Sequence, residues 1–275
     1  MATITAADVN KLRKQTGAGM MDCKNALVEA EGDFEKAVDV LRKKGQKVAA
    51  KRADRDATEG AVIALTSDDN KSGIVVMVNC ETDFVAKNDS FVALATAIAN
   101  VALANKPAST EELLALPFNA SMTIGEKLIE QTGVIGEKIE IGGYESLSSA
   151  FVASYIHMGN KIGTLVALSD VAEEAGRDIA MQAAAMNPVS LDKDSVPAEV
   201  IERELEVGRE QAREEGKPEN MIEKIAMGKL GKFYKENTLV EQQFIKDSSL
   251  TVAGYLTSVK AGLKVEAFKR LSLTV

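Results

Sequence analysis

A carboxylate and a large aromatic stand side by side at Asp83-Phe84. Before them runs the apolar stretch 74–80; after them comes Asn88-Asp89-Ser90, a cluster that starts helices. The pattern predicts a strand ending near Glu81, a helix beginning near Asp89, and an exposed loop between them. Loops carried on a rigid scaffold are where binding residues concentrate. The ring of Phe84 either folds back under its own loop or is presented outward, and the residues leave both open. The chain has a single histidine, His157, at the end of an apolar run beside a Gly turn. A Ser–His–Asp or Cys–His site would have to use it; a satisfied structural histidine is the other reading. Met20-Met21 open a helix after Gly17-Ala18-Gly19. Either one of the pair enters the core, or both offer the adaptable side chain common at binding surfaces.

The remaining chemistry is sparse. Cys23 and Cys80 form no CxxC pair and no metal spacing, and each reads as a small buried hydrophobe. A hydrolase with Cys80 as nucleophile would have only the distant His157 as base. There is no GxxxxGK[ST] loop, no GxGxxG after a strand, no HExxH and no EF-hand loop. The chain is therefore expected to hold no nucleotide phosphates, cofactor or metal, and to act by binding rather than by covalent catalysis.

Composition agrees with an ordinary globular protein: 45% hydrophobic and 27% charged over 275 residues, enough for two domains. With no Trp and 4% aromatics, the core must be built from Ala, Val, Ile, Leu and Met. A net charge of -8 disfavours nucleic-acid binding by the surface as a whole. Two isolated thiols suit a reducing cytosol, no signal peptide is visible, and the most apolar run, 91–104, falls short of the about 20 residues that span a bilayer. A cytoplasmic location is expected.

The elements that must position these residues follow from pattern and punctuation. Residues 1–45 read as three short helices, with caps at Thr5 and Asp33 and a stop at Gly45. Residues 46–57 read as a basic linker with Lys47, Lys51, Arg52 and Arg55; a solvated, partly helical connector and a phosphate-binding segment are the alternatives, and no aromatic is interleaved for base stacking. Residues 58–141 and 142–275 read as two similar α+β subdomains, each a small antiparallel sheet covered by helices. Lys71-Ser72-Gly73-Ile74-Val75-Val76 aligns with Lys161-Ile162-Gly163-Thr164-Leu165-Val166. The first fits a strand–turn–strand–helix order over 62–104, and the second repeats it over 151–186. Between them, 123–127 fits a helix start and 135–141 an alternating strand. Within the second lies a helical hairpin, 196–236, with a coiled-coil seam of Ile201, Leu205, Gly208 and Ala212 facing Ile222, Ala226, Lys229 and Phe233. The same hairpin is a candidate surface for pairing two copies of the chain. A helix over 250–261 capped by Ser249 and a strand from Lys264 to about Leu273 close the chain.

Three stretches carry a family resemblance. Thr82-Asp83-Phe84-Val85-Ala86-Lys87-Asn88 resembles the signature of bacterial elongation factor Ts. Leu12-Arg13-Lys14-Gln15-Thr16-Gly17-Ala18-Gly19-Met20-Met21-Asp22-Cys23-Lys24-Asn25-Ala26-Leu27 and Ile156-His157-Met158-Gly159-Asn160-Lys161-Ile162-Gly163-Thr164-Leu165-Val166 resemble two further family segments, in the family's order. The resemblance implies an N-terminal module of ubiquitin-associated type and a guanine-nucleotide exchange factor for the GTPase elongation factor Tu. It implies that the segment Thr82, Asp83, Phe84 and Val85 dislodges Mg²⁺ in that GTPase, that Met20 and Met21 face its nucleotide domain, and that His157 lies at the interface. Two departures limit the carry-over. Gly142-Gly143-Tyr144 lacks the basic residues that relatives place before that aromatic, and the chain stops where family members often continue into a further helix.

Overall fold

The computed structural model describes residues 4–274. Three helices come first: α1 (Ala6–Thr16), α2 (Met20–Glu29) and α3 (Phe34–Lys51). Thr5 and Asp8 form a capping box, the Asp8 N–H donating to Thr5 Oγ1 at 3.2 Å and the Thr5 N–H to Asp8 Oδ2 at 3.0 Å. Asp33 caps α3 by accepting from the Glu35 and Lys36 N–H groups. Leu12, Cys23, Ala26, Leu27 and Ala37 are buried between the three helices.

The expected stop at Gly45 is wrong: the glycine lies inside α3, and the stretch after it is partly helical and mostly exposed. Helix α3 runs on to Lys51, so residues 46–51 are helical. Gly45 is a crossing point. A Cβ on Gly133 would lie 2.5 Å from the Gly45 Cα, a separation only two glycines permit. Gly133 belongs to α7 (Ile124–Ile135), so α3 docks the N-terminal helices on the body of the protein. Only the short segment past α3, from Arg52 to the first strand, remains a connector.

The body repeats one plan. Strands β1 (Glu59–Thr66) and β2 (Ser72–Cys80) form a hairpin, followed by a one-turn helix α4 (Asp83–Ala86) and by α5 (Asp89–Asn105). After α6 (Thr110–Ala115), the two-stranded β3 (Pro117–Asn119) and β4 (Met122–Thr123), and α7, strand β5 (Glu140–Ser148) returns to pair with β2. The sheet order is β1-β2-β5, antiparallel throughout. The second hairpin, β6 (Phe151–Ile156) and β7 (Ile162–Leu168), is followed by α8 (Glu173–Met186). Helices α9 (Ala198–Glu214) and α10 (Glu219–Asn237), strands β8 (Gln243–Phe244) and β9 (Asp247–Thr251), and α11 (Val252–Val259) intervene before β10 (Val265–Ser272) pairs with β7. The order there is β10-β7-β6. In both sheets the second strand of the hairpin is central, so the internal echo in the sequence is a repeat in the fold.

Alternation along the strands explains the layering. On β1 and β2, Ala61, Ile63, Ile74, Val76 and Val78 meet α5 through Phe91, Leu94 and Ile98. Val62, Ala64 and Val75 point the other way and pack on Val152 and Leu165 of the second sheet. Phe151, Ala153, Val166 and Leu168 in turn face α8 and α11. The two sheets lie back to back with helices outside each, which is why these strands are apolar on both faces. The aligned glycines sit at equivalent close approaches. A Cβ on Gly73 would reach 2.9 Å from Val152 Cγ1, and one on Gly163 would reach 2.7 Å from Val62 Cγ1.

Other expectations are corrected locally. Ile135 is the last residue of α7, not the start of a strand; Gly136 at φ +83° ends the helix, and β5 starts only at Glu140. The 141/142 division therefore falls inside a strand of the first sheet. Ser249 lies in β9, and the cap of α11 is Thr251, whose hydroxyl accepts from the Gly254 N–H at 3.1 Å. In the hairpin, Leu230 is buried where Lys229 was expected. Lys229 instead reaches across to Gln211 at 2.9 Å and Glu215 at 3.3 Å.

Candidate partner-binding site

Residues 82–88 are not an open loop. Thr82 caps α4, its hydroxyl accepting from the Val85 N–H at 3.5 Å, and Asn88 caps α5 immediately afterwards. Val85 and Ala86 pack against the first sheet's core. Phe84, between them and the cap, is 84% exposed, the most exposed large hydrophobic among the described residues. The structure thus resolves the first alternative: the ring does not fold under its own turn. Beside it, the Asp83 carboxylate is paired with Lys87 at 2.7 Å, and this bond holds its pKa below the ordinary value.

The turn is gripped by residues far away in sequence. Glu137 lies in the connection between α7 and β5. It accepts from the Glu81 N–H at 3.1 Å, the Thr82 N–H at 3.0 Å and the Thr82 hydroxyl at 2.6 Å. Glu81 reciprocates, accepting from the Lys138 N–H at 2.6 Å. Arg52, at the end of α3, donates to both oxygens of Glu81, at 2.7 and 2.9 Å. The Lys138 N–H, and after it Arg52, lower the Glu81 pKa despite burial. One cation of the expected basic linker is therefore committed to an internal ion pair. Neither Glu81 nor Glu137 stands out in the sequence as a contact, and Arg52 stands out only as one cation of the basic linker. The one available signal was Gly136, a turn glycine just before Glu137.

His157 is exposed, and its Nδ1 lies 3.2 Å from the Tyr155 hydroxyl. The turn after it, Met158–Asn160, packs against β1, and Lys161 reaches Glu59 at 3.3 Å. Glu59 pairs in register with Cys80, which immediately precedes the gripped turn. His157 and the Phe84 turn are thus carried at the same end of the back-to-back sheets. Met20 and Met21 are on the separate three-helix unit, 54% and 62% exposed at the start of α2. Neither is core, which removes the reading that one of them is.

This arrangement holds no assembled nucleophile and base. Cys80 is buried, its Sγ donating to the Thr82 carbonyl at 3.2 Å, and burial pushes its thiol up to about 12. A thiol so rarely ionised is no nucleophile. Among the described residues no group of three or more His, Cys, Asp or Glu is placed to hold a metal ion, and no helix is long and apolar enough to cross a membrane. Fold and site define an α+β protein that presents an aromatic, a histidine and a methionine pair on its surface.

Comparison with known proteins gives the family. The family model described as Elongation factor TS matches residues 81–274. Elongation factor Ts of Flavobacterium psychrophilum is 60% identical over 276 residues, covering 99% of this chain and 100% of the relative. That of Christiangramia forsetii is 57% identical with the same coverage. That of Porphyromonas gingivalis is 52% identical, covering 98% of each. The chain belongs to the elongation factor Ts family.

Proposed function

We propose that this protein is a translation elongation factor that promotes release of GDP from the GTPase elongation factor Tu, so that GTP can reload. The observation that carries the reading is Phe84, fully presented on a turn that the rest of the protein holds in place. Burial of that ring in a cleft of the partner supplies about 2–3 kcal/mol that only an opened GTPase can use. Asp83 beside it brings a carboxylate toward the site where Mg²⁺ and phosphates are balanced. Mg²⁺ demands near-ideal octahedral geometry, so a small displacement of its shell weakens nucleotide strongly. Coupling of this kind is reciprocal: the factor weakens GDP by the factor that GDP weakens it.

His157 at the same end and Met20 and Met21 on the three-helix unit are the further contacts in this reading. The protein works by binding, in the cytoplasm, and holds no nucleotide itself. The test is release of labelled GDP from purified elongation factor Tu. Micromolar protein is expected to accelerate it without hydrolysing GTP, and the Met20→Ala, Met21→Ala double variant to need more protein for the same effect with an unchanged melting curve. An unaltered release rate with the wild-type protein would sink the proposal.

A further inference from the structure

The most solvent-exposed apolar side chain of the site stands on a short turn. Phe84 is 84% exposed, and α4 is a single turn, far below the length at which a helix sustains itself in water. The direction of the ring is therefore set by the backbone on either side. On the C-terminal side Val85 and Ala86 are packed against the core. On the N-terminal side Cys80 is buried in the same core and its Sγ donates to the Thr82 carbonyl at 3.2 Å, while Glu81 and Thr82 themselves are held by polar bonds. Glu137 bridges two consecutive amides and the Thr82 hydroxyl. Because that hydroxyl donates its proton to Glu137, its lone pairs are left to cap the Val85 N–H. One carboxylate thus fixes both the backbone before α4 and the cap that shapes it.

We propose that Glu137 is a positioning residue that holds Phe84 in its presented direction. Glu81 and Arg52 complete the clasp. Segments 81–82 and 137–138 exchange side-chain to backbone hydrogen bonds in both directions. Arg52 extends the clasp to the end of α3, the helix that also docks the methionine-bearing unit. The same frame therefore carries both the ring and the methionines. Glu137 acts through Phe84 and touches no partner in this scheme. The proposal rests on the exchange reading above.

The test is a double-substitution cycle on the full chain, with Glu137→Ala and Phe84→Ala measured singly and together in GDP release at saturating protein. A residue acting through another shows non-additive effects. Glu137→Ala is expected to slow maximal release about tenfold in the wild-type background and less than about twofold once Phe84 is already alanine. Amide hydrogen exchange at Thr82 and Val85, read without any partner, is expected to speed up, while the amides of β1 and β2 keep their protection. Glu137→Gln, which retains one acceptor oxygen, is expected to fall between the two; it also serves if the alanine variant fails to fold. Equal losses in both backgrounds, or a Glu137→Gln variant with wild-type release and wild-type amide exchange, would overturn the positioning role while the exchange reading stands. A wild-type protein that does not speed release would remove the exchange reading, and this role with it.

Discussion

At the scale of single residues, exposure separates two explanations that sequence leaves level. A phenylalanine between a strand and a helix is either core or contact, and truncation distinguishes them. Phe84→Ala is expected to change thermal stability little, since substitutions at exposed positions usually stay within about 0.5 kcal/mol. If the ring is buried in the partner, the same truncation removes about 2–3 kcal/mol there. That is a loss of roughly 30- to 150-fold in exchange, at about 1.4 kcal/mol per factor of ten. One variant measured by melting and by GDP release is enough. A large fall in melting temperature with near-normal exchange would contradict both the structure and the proposed role. The acids around this ring were harder to find. Glu81 and Glu137 are 56 positions apart, and a single carboxylate in a stretch of ordinary charge density carries no mark of what it will grip.

At the scale of elements, the helical hairpin stands apart. Helices α9 and α10 pack mainly on each other, through Gly208 against Ala226 with Ala212, Ile222 and Leu230 buried in the seam. Arg209 adds a two-nitrogen bond to Glu223, at 2.8 and 3.0 Å. At the base, the Val189 N–H donates to the carbonyl of Asn237, the last residue of α10, and Leu239 just beyond it is buried with α8 and α11. Deletion of residues 197–236 with a short Gly/Ser closure is therefore expected to leave a cooperatively folded body. Calorimetry or chemical denaturation checks it; loss of the cooperative transition would show that the hairpin belongs to the core. The seam was legible in the sequence because 4-3-4 spacing and small residues leave few alternatives. Its one error, Lys229 for Leu230, is a shift of one position, about 100° around the helix, and only the facing Gln211 and Glu215 decide it.

At the scale of the whole molecule, the N-terminal unit is docked rather than tethered. The contact is the approach of α3 to α7, with Gly45 and Gly133 at its closest point and Arg42 Nη2 donating to the Ser121 carbonyl at 2.8 Å. Any side chain at Gly133 meets backbone and not the movable end of a side chain. Gly133→Ala is expected to cost about 1–3 kcal/mol by overpacking. It should loosen the unit carrying Met20 and Met21, seen as faster proteolysis within residues 46–58 together with a lower melting temperature. Unchanged melting and proteolysis would show that the helices can separate freely, and that the two contact regions do not share one frame.

The sequence by itself determined the α+β class, the repeated strand–turn–strand–helix units and the hairpin, because each is written in local periodicity or capping residues. Thr5, Asp33 and Thr123 cap where their types and neighbours say they should. Tertiary structure alone decided that Gly45 is a crossing and not a stop. A glycine preceded by Arg42, Lys43 and Lys44 fits a helix end as well as a helix contact, and the partner that settles the matter is 88 positions away at Gly133. It decided likewise that Arg52 belongs to an internal ion pair and that Phe84 faces outward on a turn held by Glu137. Those outcomes depend on which side chains the two sheets bring together, and such long-range pairings leave no period in the chain.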